Sequence, residues 1–168
     1  NGALKTEGNY VNGKAEGNHK TFYENGKLFI EGNYKNDVAD GLHKWFYEDG
    51  KIKEEWFYID GKANGAGKIW YESGQLKSEG NYKDHKIHGL YKNFYENGSL
   101  WEESVYINDK KEGYKRYFDD GRFSNEENYE SAKARLDNEL NNEKLRGGGD
   151  PLKGLNVEKA VDISIGNY

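Results

Sequence analysis

The sequence predicts an all-β protein: an elongated, twisted antiparallel meander of 24-residue β-hairpin repeats, with a short C-terminal helix and an extended tail. Glycine recurs at a fixed step of 24 residues, and such a period is typical of a repeat architecture with atypical ends. Each unit also holds two dipeptides that favour tight turns. The chain combines 22 glycines with one proline, which suits many turns and few breaks in strand pairing.

Rings, rather than aliphatic side chains, are expected to supply most of the apolar surface. Only 34% of the residues are hydrophobic and 33% are charged, yet 15% are aromatic, and disordered chains lack such aromatics. The net charge of −5, without a basic cluster, argues against nucleic-acid binding. Cysteine is absent, which excludes disulfides and thiolate metal ligands. No stretch approaches the roughly 18 apolar residues that a membrane span needs.

The repeat array is expected over residues 1–129, with a half repeat at 1–16. Full repeats start at Gly17, Gly41, Gly65, Gly89 and Gly113. The fifth unit has the sequence GYKRYFDDG at 113–121, one residue shorter than GLYKNFYENG at 89–98. After allowance for this deletion, a tyrosine column follows the same step: Tyr10, Tyr34, Tyr58, Tyr82, Tyr106 and Tyr129.

Two turns in each unit define its hairpins. We call the first kind corner turns: Asn25-Gly26, Asp49-Gly50, Ser73-Gly74, Asn97-Gly98 and Asp120-Gly121. We call the second kind distal turns: Asn12-Gly13, Asn36-Asp37, Asp60-Gly61, Asp84-His85 and Asn108-Asp109. Both kinds are predicted to be two-residue type I′ turns, whose central residues need positive φ. Strands of about ten residues, roughly 30 Å long, would join them.

The corner turns predict a strand register that the charges support. With Asn25-Gly26 at the corner, opposed residue numbers sum to 51, and Lys20 faces Glu31. Five such pairs follow, allowing for the deletion: Lys20–Glu31, Lys44–Glu55, Lys68–Glu79, Lys92–Glu103 and Lys115–Glu126. The same rule places Tyr23 opposite Leu28 and Gly17 opposite Tyr34, and repeats both pairs in later units. Each exposed ion pair contributes only about 0.2–1 kcal/mol, so register is the expected benefit.

Period-two alternation then assigns the side chains to two faces. The tyrosine face is expected to carry the glycine–tyrosine pairs together with Tyr23, Leu28 and their repeats. The ladder face is expected to carry the Lys–Glu pairs with Phe22, Phe46, Trp70 and Phe94, and also Phe29 and Trp101. A sheet of about eleven strands would be about 50 Å long and must twist, so the tyrosine face can form a partial core.

The unit G-x-x-K-x-F/W-Y-E-x-G-x-L-x-x-E-x-x-Y resembles the MORN repeat, in the bacterial variant associated with antitoxin-like proteins. Residues 17–129 carry the resemblance, and a half unit lies at 2–16. It implies an elongated, twisted meander of hairpins with a groove that binds proteins or, less favoured, lipids. The association with antitoxins implies toxin neutralisation as one form of protein binding.

The last quarter of the chain departs from the repeat. Residues 130–146 (ESAKARLDNELNNEKLR) are predicted to form a helix that crosses the last hairpins and covers an open sheet edge. Residues 147–168 are predicted to be a glycine-rich joint and a strand-like tail, in which Val161, Ile163 and Ile165 alternate with polar residues. Residues 152–168 could pair with a sheet edge or lie in the groove as a partner peptide would. An engineered linker with a fused peptide is the alternative origin of this tail.

The sequence offers no catalytic, cofactor or metal site. His19 and His43 occupy equivalent positions two strands apart, about 9–10 Å, which is too far for one zinc ion. The repeated glutamates have lysine partners, and no carboxylate pair differs from its repeat equivalents as a catalytic pair would. Gly65-Ala66-Gly67-Lys68 lacks the spacing and the following Ser or Thr of a phosphate loop. We therefore expect a protein that is not an enzyme.

Aromatic residues are the candidate partner-binding residues: Trp45, Trp56, Trp70, Trp101, Phe22, Phe46 and Phe94. Three of the four tryptophans depart from their repeat column, and tryptophan is enriched at binding hot spots. The competing interpretation is that rings at fixed positions pack the sheet, and that the non-repeated tryptophans (Trp45, Trp56 and Trp101) fill gaps left by glycines. Trp45 and Trp56 are expected to lie nearly opposite each other on the tyrosine face.

These observations predict a non-enzymatic scaffold that binds a protein or an extended peptide on a curved aromatic surface, with toxin neutralisation as one form of it. The alternative is a carbohydrate or cell-envelope binding module, since aromatic platforms with Asn, Lys and Glu suit sugars. Binding of membrane lipid is not favoured, because the chain is acidic. The compartment stays open between cytoplasm and cell envelope; the absence of Met at position 1 favours a processed, exported chain.

Overall fold

A computed structural model describes residues 5–145, which form eleven strands and one helix. The strands are β1 (Lys5–Val11), β2 (Lys14–Phe22), β3 (Leu28–Lys35), β4 (Val38–Phe46), β5 (Ile52–Ile59), β6 (Lys62–Trp70), β7 (Leu76–Lys83), β8 (Lys86–Phe94), β9 (Leu100–Ile107), β10 (Lys110–Tyr117) and β11 (Phe123–Glu127). The helix is α1 (Tyr129–Leu145). The predicted tail at 147–168 lies outside the described residues.

The strands form one open sheet in which each strand pairs with its neighbours in sequence. The order runs from β1 to β11 without a crossover, and every pair is antiparallel. The predicted all-β meander is therefore confirmed. The strands are shorter than the ten residues expected, since most contain eight or nine.

The distal turns have the predicted type I′ geometry. Both central residues of each one have positive φ, between 46° and 79°. Asn, Asp and Gly tolerate this left-handed region better than other residues, which explains their recurrence at these positions. Neighbouring distal turns are also joined along the array: the Asp109 amide donates to the Ile87 carbonyl, and the Ile87 amide donates to the Asp109 carboxylate at 2.7 Å.

The predicted type I′ geometry is wrong for the corner turns. In the first of them only Gly26 has positive φ (81°), and its amide donates to the Tyr23 carbonyl at 2.9 Å. Such a turn followed by one left-handed glycine is the longer hairpin connection with a bulge. Consequently Leu28 pairs with Phe22, and the predicted pairing of Leu28 with Tyr23 is wrong.

A bulge beside each corner restores the predicted register in the rest of the hairpin. The pairing passes from Phe22–Leu28 to Thr21–Ile30, so that Phe29 is the extra residue. Beyond it, Lys20 faces Glu31 as expected. The charged residues then form one row across all eleven strands, which we call the charge row: Glu7, Lys20, Glu31, Lys44, Glu55, Lys68, Glu79, Lys92, Glu103, Lys115 and Glu126.

The charge row contains ion pairs in four of the five predicted hairpins. The distances between nitrogen and oxygen are 3.4 Å for Lys20–Glu31, 3.1 Å for Lys44–Glu55, 3.5 Å for Lys92–Glu103 and 3.6 Å for Lys115–Glu126. Lys68 and Glu79 are paired in register without an ion pair. Every lysine of the row lies between two glutamates, so the row as a whole specifies the strand register.

Helix α1 packs on the ladder face near the C-terminal end of the sheet. Tyr129, Ala132 and Leu136 are buried with Val105, and Leu90 packs against them. The helix contacts β9 and β10, while β11 stays exposed along its length. The expected crossing of the last hairpins is therefore present, but the expected covering of the sheet edge is wrong.

The deletion in the fifth repeat makes room for α1. In the shortened β10, Gly113 pairs with Val105 as Leu90 does from the other side, so no side chain stands there, and Tyr129 packs beside Val105 in that region. Tyr129 therefore begins the helix and does not continue the tyrosine column, which corrects the sequence-based alignment. Its hydroxyl donates to Glu103 on the ladder face, and the Lys115 amine lies 4.5 Å from the centre of its ring.

Candidate binding surfaces

The tyrosine face has a central row in which rings and small residues alternate across ten strands. We call it the ring row: Gly8, His19, Gly32, His43, Trp56, Gly67, Gly80, Tyr91, Ser104 and Tyr114. Most rings of this row lie over a neighbouring glycine. A Cβ atom added to Gly32 would meet the His43 ring at 2.1 Å, so only glycine leaves room for the ring.

The two histidines of the ring row are packing residues between tyrosines. His43 is 2% exposed, and its ring meets those of Tyr34 and Tyr58 edge to face, at 5.0 and 4.9 Å between centres. Its Nε2 bonds the Asn33 carbonyl at 2.7 Å. Burial lowers the pKa of His43, against the opposing effect of that hydrogen bond. His19 repeats the arrangement between Tyr10 and Tyr34.

The order of ring and small residue is reversed in one pair of the row, Trp56 with Gly67. In the earlier hairpins the ring is on the second strand and the glycine on the first, as in Gly32 and His43. Here Trp56 supplies the ring and Gly67 supplies the space; a Cβ on Gly67 would lie 2.5 Å from the Trp56 ring. Trp56 also meets Tyr82 edge to face at 4.8 Å. Trp56 thus stands where the other units carry a glycine or serine, and its partner Gly67 stands where they carry a ring.

A buried glutamate and its two cationic partners form an ion-pair cluster in the C-terminal part of the tyrosine face. Glu102 is 4% exposed and accepts hydrogen bonds from Lys111 at 2.5 Å, Arg116 at 2.7 Å and Ser104 at 2.8 Å. Burial raises the pKa of Glu102, but the three hydrogen bonds outweigh it and leave the pKa below its ordinary value. Lys111 and Arg116 also lie over the Tyr114 ring. The charge of Glu102 is therefore balanced by cationic side chains within the cluster.

The ladder face carries four half-buried rings at equivalent repeat positions, which we call the ring strip: Phe22, Phe46, Trp70 and Phe94. Each one pairs with an aliphatic residue across its hairpin, as Trp70 does with Leu76. The rings recur on every second strand, so they are spaced about 9–10 Å apart. The strip runs beside the charge row, since Phe22 lies two residues beyond Lys20 on the same strand.

Corner tyrosines join successive repeats on this side of the sheet. The Tyr23 hydroxyl donates to the Phe46 carbonyl at 2.6 Å, and the Tyr47 hydroxyl donates to the Trp70 carbonyl at 2.6 Å. Tyr71 and Tyr95 continue the series with the carbonyls of Phe94 and Tyr117. Sequence analysis placed these tyrosines in a packing face and missed the hydrogen bonds. The signal available was their constant place three residues before the corner glycine.

The candidate aromatic residues are divided between the two faces. Trp45 and Trp56 lie on the tyrosine face, where Trp45 pairs with Glu54 and Trp56 with His43. The ring strip brings together the remaining candidates except Trp101, which is 44% exposed at the bulge beside Tyr95. The structure therefore provides two aromatic surfaces, of which the tyrosine face is largely filled by its own rings.

The described residues show neither a metal cluster nor a membrane helix. Across residues 5–145, no group of three or more His, Asp or Glu side chains has the arrangement of a metal site. Within the same range, no helix combines the length and apolar character needed to cross a bilayer.

Several solved structures match the chain at low similarity. TarM is 14% identical over 64% of this chain and 20% of its own, with a TM-score of 0.40. The accessory secretory protein 1,2 and 3 structure from Streptococcus pneumoniae is 15% identical over 60% and 19%, with a TM-score of 0.38. A GtfA/B complex bound to UDP and GlcNAc is 8% identical over 83% and 27%, with a TM-score of 0.37. The chain spans about a fifth to a quarter of these proteins, and such scores carry no argument about function.

The sequence itself provides the family assignment. No curated protein sequence matches the chain. The family model described as MORN repeat variant matches four consecutive segments, residues 15–36, 39–60, 63–84 and 87–108. These segments run from β2 to β9 and include the ring strip, most of the ring row and four of the five corner turns. Because they make up more than half of the 168 residues, the chain belongs to the MORN repeat variant family.

Proposed function

We propose that this chain is a non-enzymatic scaffold that binds a protein or an extended peptide segment on its aromatic surface. The observation that supports this proposal is the ring strip, in which four half-buried rings lie beside the charge row. Aromatic side chains provide much of the energy at protein interfaces, and adjacent charges orient the partner. Toxin neutralisation is a narrower form of the same proposal, tested by co-expression with a toxin encoded beside the gene.

Two features favour a protein partner without catalysis. Aliphatic residues pair with every ring of the strip, as Ile52 does with Phe46, and this makes the strip suited to apolar side chains. The glutamates with shifted pKa values also have cationic partners: side-chain hydrogen bonds lower the pKa of Glu112, Glu130 and Glu143. A general acid would need a raised pKa, so these carboxylates favour a structural role.

The test compares the chain with a double variant of the ring strip, Phe46→Ser with Trp70→Ser. Both immobilised proteins would be incubated with lysate of the source organism, and bound proteins would be quantified by mass spectrometry. We expect the variant to retain less than a tenth of the specifically bound protein. Val38→Ser is the matched control, because Val38 is exposed at the opposite end of the strands. Leucine at both strip positions is the milder variant if serine lowers the urea midpoint.

Unchanged capture by the double variant would contradict the proposal. A saccharide panel, followed by tryptophan fluorescence, provides the second measurement. Quenching of the native chain by a saccharide, abolished in the double variant, would instead assign the strip to carbohydrate binding.

A further inference from the structure

The ladder face carries two apolar pairs at equivalent repeat positions, and only one of them is in contact with α1. The first apolar pair is Leu42–Phe57, and the second is Leu90–Val105; in each, the residues face each other across a hairpin. The pairs are two repeats apart. Val105 is fully buried by the helix, whereas Leu42 and Phe57 are both half-buried.

The contacts of α1 show what the second apolar pair binds. Tyr129, Ala132 and Leu136 provide the apolar contact with Leu90 and Val105. Charged residues of the sheet then hold the helix along its length. The ion pairs and hydrogen bonds join Lys115 to Glu130 at 2.5 Å, Glu103 to Tyr129, and Lys83 to Glu143 at 2.5 Å, while Nε2 of His88 lies 4.0 Å from Glu139.

Most of these anchors recur around the first apolar pair. Allowing for the deletion in the fifth repeat, Lys83, Glu103 and Lys115 correspond to Lys35, Glu55 and Lys68. Beside the pair, Ala66 is exposed and small, and it stands where Gly113 stands beside Val105. Because alanine has a Cβ atom and glycine does not, a helix here lies farther from the strand than α1 lies from Gly113. The first apolar pair therefore offers the apolar contact and the same three charges.

One charged position differs between the two apolar pairs and determines which helix can bind. Asp40, beside the first apolar pair, stands at the position of His88, which is 6% exposed beside the second pair and faces Glu139 of α1. A helix with an acidic residue at that point would be repelled by Asp40, whereas a basic residue would be attracted. Within residues 5–145, α1 is the only helix, and its own Glu139 makes it unsuitable for the first site.

We propose that Leu42, Phe57 and Ala66 form a docking site for an amphipathic helix of a partner protein. The helix presents an aromatic residue, Ala three residues later and Leu four residues after that, with a Lys or Arg toward Asp40 and an acidic residue toward Lys35. The site lies on the opposite side of the charge row from the ring strip, so it does not depend on the ring strip for binding.

The probe is a synthetic 17-residue peptide with the sequence of α1 and the substitution Glu139→Lys. Isolated helices of this length are marginal in water, so weak binding to the full, isotope-labelled chain is followed by amide chemical shifts. We expect saturable shifts at Leu42 and Phe57, with at least tenfold weaker binding of the native α1 peptide. In the Asp40→His variant the preference should reverse, because that change reproduces the second site.

Two variants of the chain test whether the peptide binds at the first apolar pair. Leu42→Ser should weaken the peptide at least tenfold, while the strip variant Phe46→Ser with Trp70→Ser should bind it as the native chain does. Shifts at Leu90 and Val105 would show exchange with α1 and would overturn the assignment. The absence of shifts at Leu42 would also overturn the assignment. A dimer of the intact chain, formed by exchange of α1 helices between two molecules, would do the same.

Discussion

Glycine and ring positions in the tyrosine face depend on each other one pair at a time. His43 needs Gly32 beneath it, and Trp56 needs Gly67, because in both pairs a Cβ atom would enter the ring of the neighbour. The sequence shows the step of the glycines but not which ring covers which glycine, since that pairing crosses between hairpins. The gap-filling interpretation of Trp56 therefore has a specific geometric basis. Gly67 stands where other units carry a ring, and the Trp56 ring fills the space that this leaves.

Exchanging the ring and the glycine of this pair should largely preserve the free energy of unfolding, whereas either change alone should lower it. Trp56→Gly leaves three adjacent positions of the ring row without a ring, with an expected loss of about 3–5 kcal/mol of unfolding free energy. Gly67→His alone places a second ring against Trp56 and should cost about 1–3 kcal/mol. Together the two changes restore the alternation of the earlier hairpins. Urea unfolding of all four proteins would measure the coupling.

Additive effects in that double-mutant cycle would contradict the pairing. Trp45→Phe is a suitable control on the same face, because Trp45 is not a member of the ring row. It should change the unfolding free energy of the native chain and of the double variant by the same amount.

The hairpin elements show where local sequence predicts structure and where it does not. Asn36-Asp37 and the other distal turns have two left-handed residues, and their composition is sufficient to predict the type I′ turn. The corner Asn25-Gly26 has the same composition signal but another geometry, because the Tyr23 hydroxyl and backbone fix the preceding residues. The charge pairs stayed in the predicted register only because the bulge at Phe29 compensates for the longer turn.

Helix α1 depends on the close approach of its first residues to β10. A Cβ atom on Gly113 would lie 2.6 Å from the Asn128 carbonyl oxygen, and a backbone atom cannot move aside easily. Gly113→Ala should therefore displace the helix at a cost of about 1–3 kcal/mol. Hydrogen exchange should accelerate at the amides of residues 132–142 and stay unchanged in β3 to β6.

Lys110→Ala is the control for this helix variant, because Lys110 is an exposed residue on the same strand. Protection of α1 should be the same in Lys110→Ala as in the native chain. Equal protection of α1 in the Gly113→Ala variant would show that the helix does not require the close approach. The helix itself was predictable from its leucine and alanine spacing, but its position on the ladder face was not, since the deletion in β10 gave no indication of what fills the space.

At the scale of the whole molecule, stability should depend on how complete repeats follow one another. Each repeat contacts its neighbours along the sheet, so the array approximates a sum of units and interfaces. Removal of residues 17–40 would bring His43 beside Gly8 and keep the ring row intact. Removal of residues 41–64 would instead place Gly32, Gly67 and Gly80 next to one another.

These two deletions have equal length and preserve the strand register, but they should differ in stability. We expect the protein without residues 41–64 to be about 3 kcal/mol less stable than the protein without residues 17–40, because the row of three glycines lacks a ring. Urea unfolding monitored by circular dichroism would compare them. Equal stabilities would show that the ring row has no net effect across repeats.

The charge row and the ring row together bear on misfolding. A strand displaced by one residue reverses its faces, and a strand displaced by two residues sets its lysine opposite a residue other than glutamate, so both errors are costly. A strand displaced by a whole unit meets neither penalty, since every unit repeats the same charges. What distinguishes one unit from another is the irregular residues, above all Trp56 with Gly67 and the shortened β10. These irregular residues fit only their own neighbours, so we expect them to disfavour pairing of a hairpin with the wrong repeat or with the sheet of another molecule.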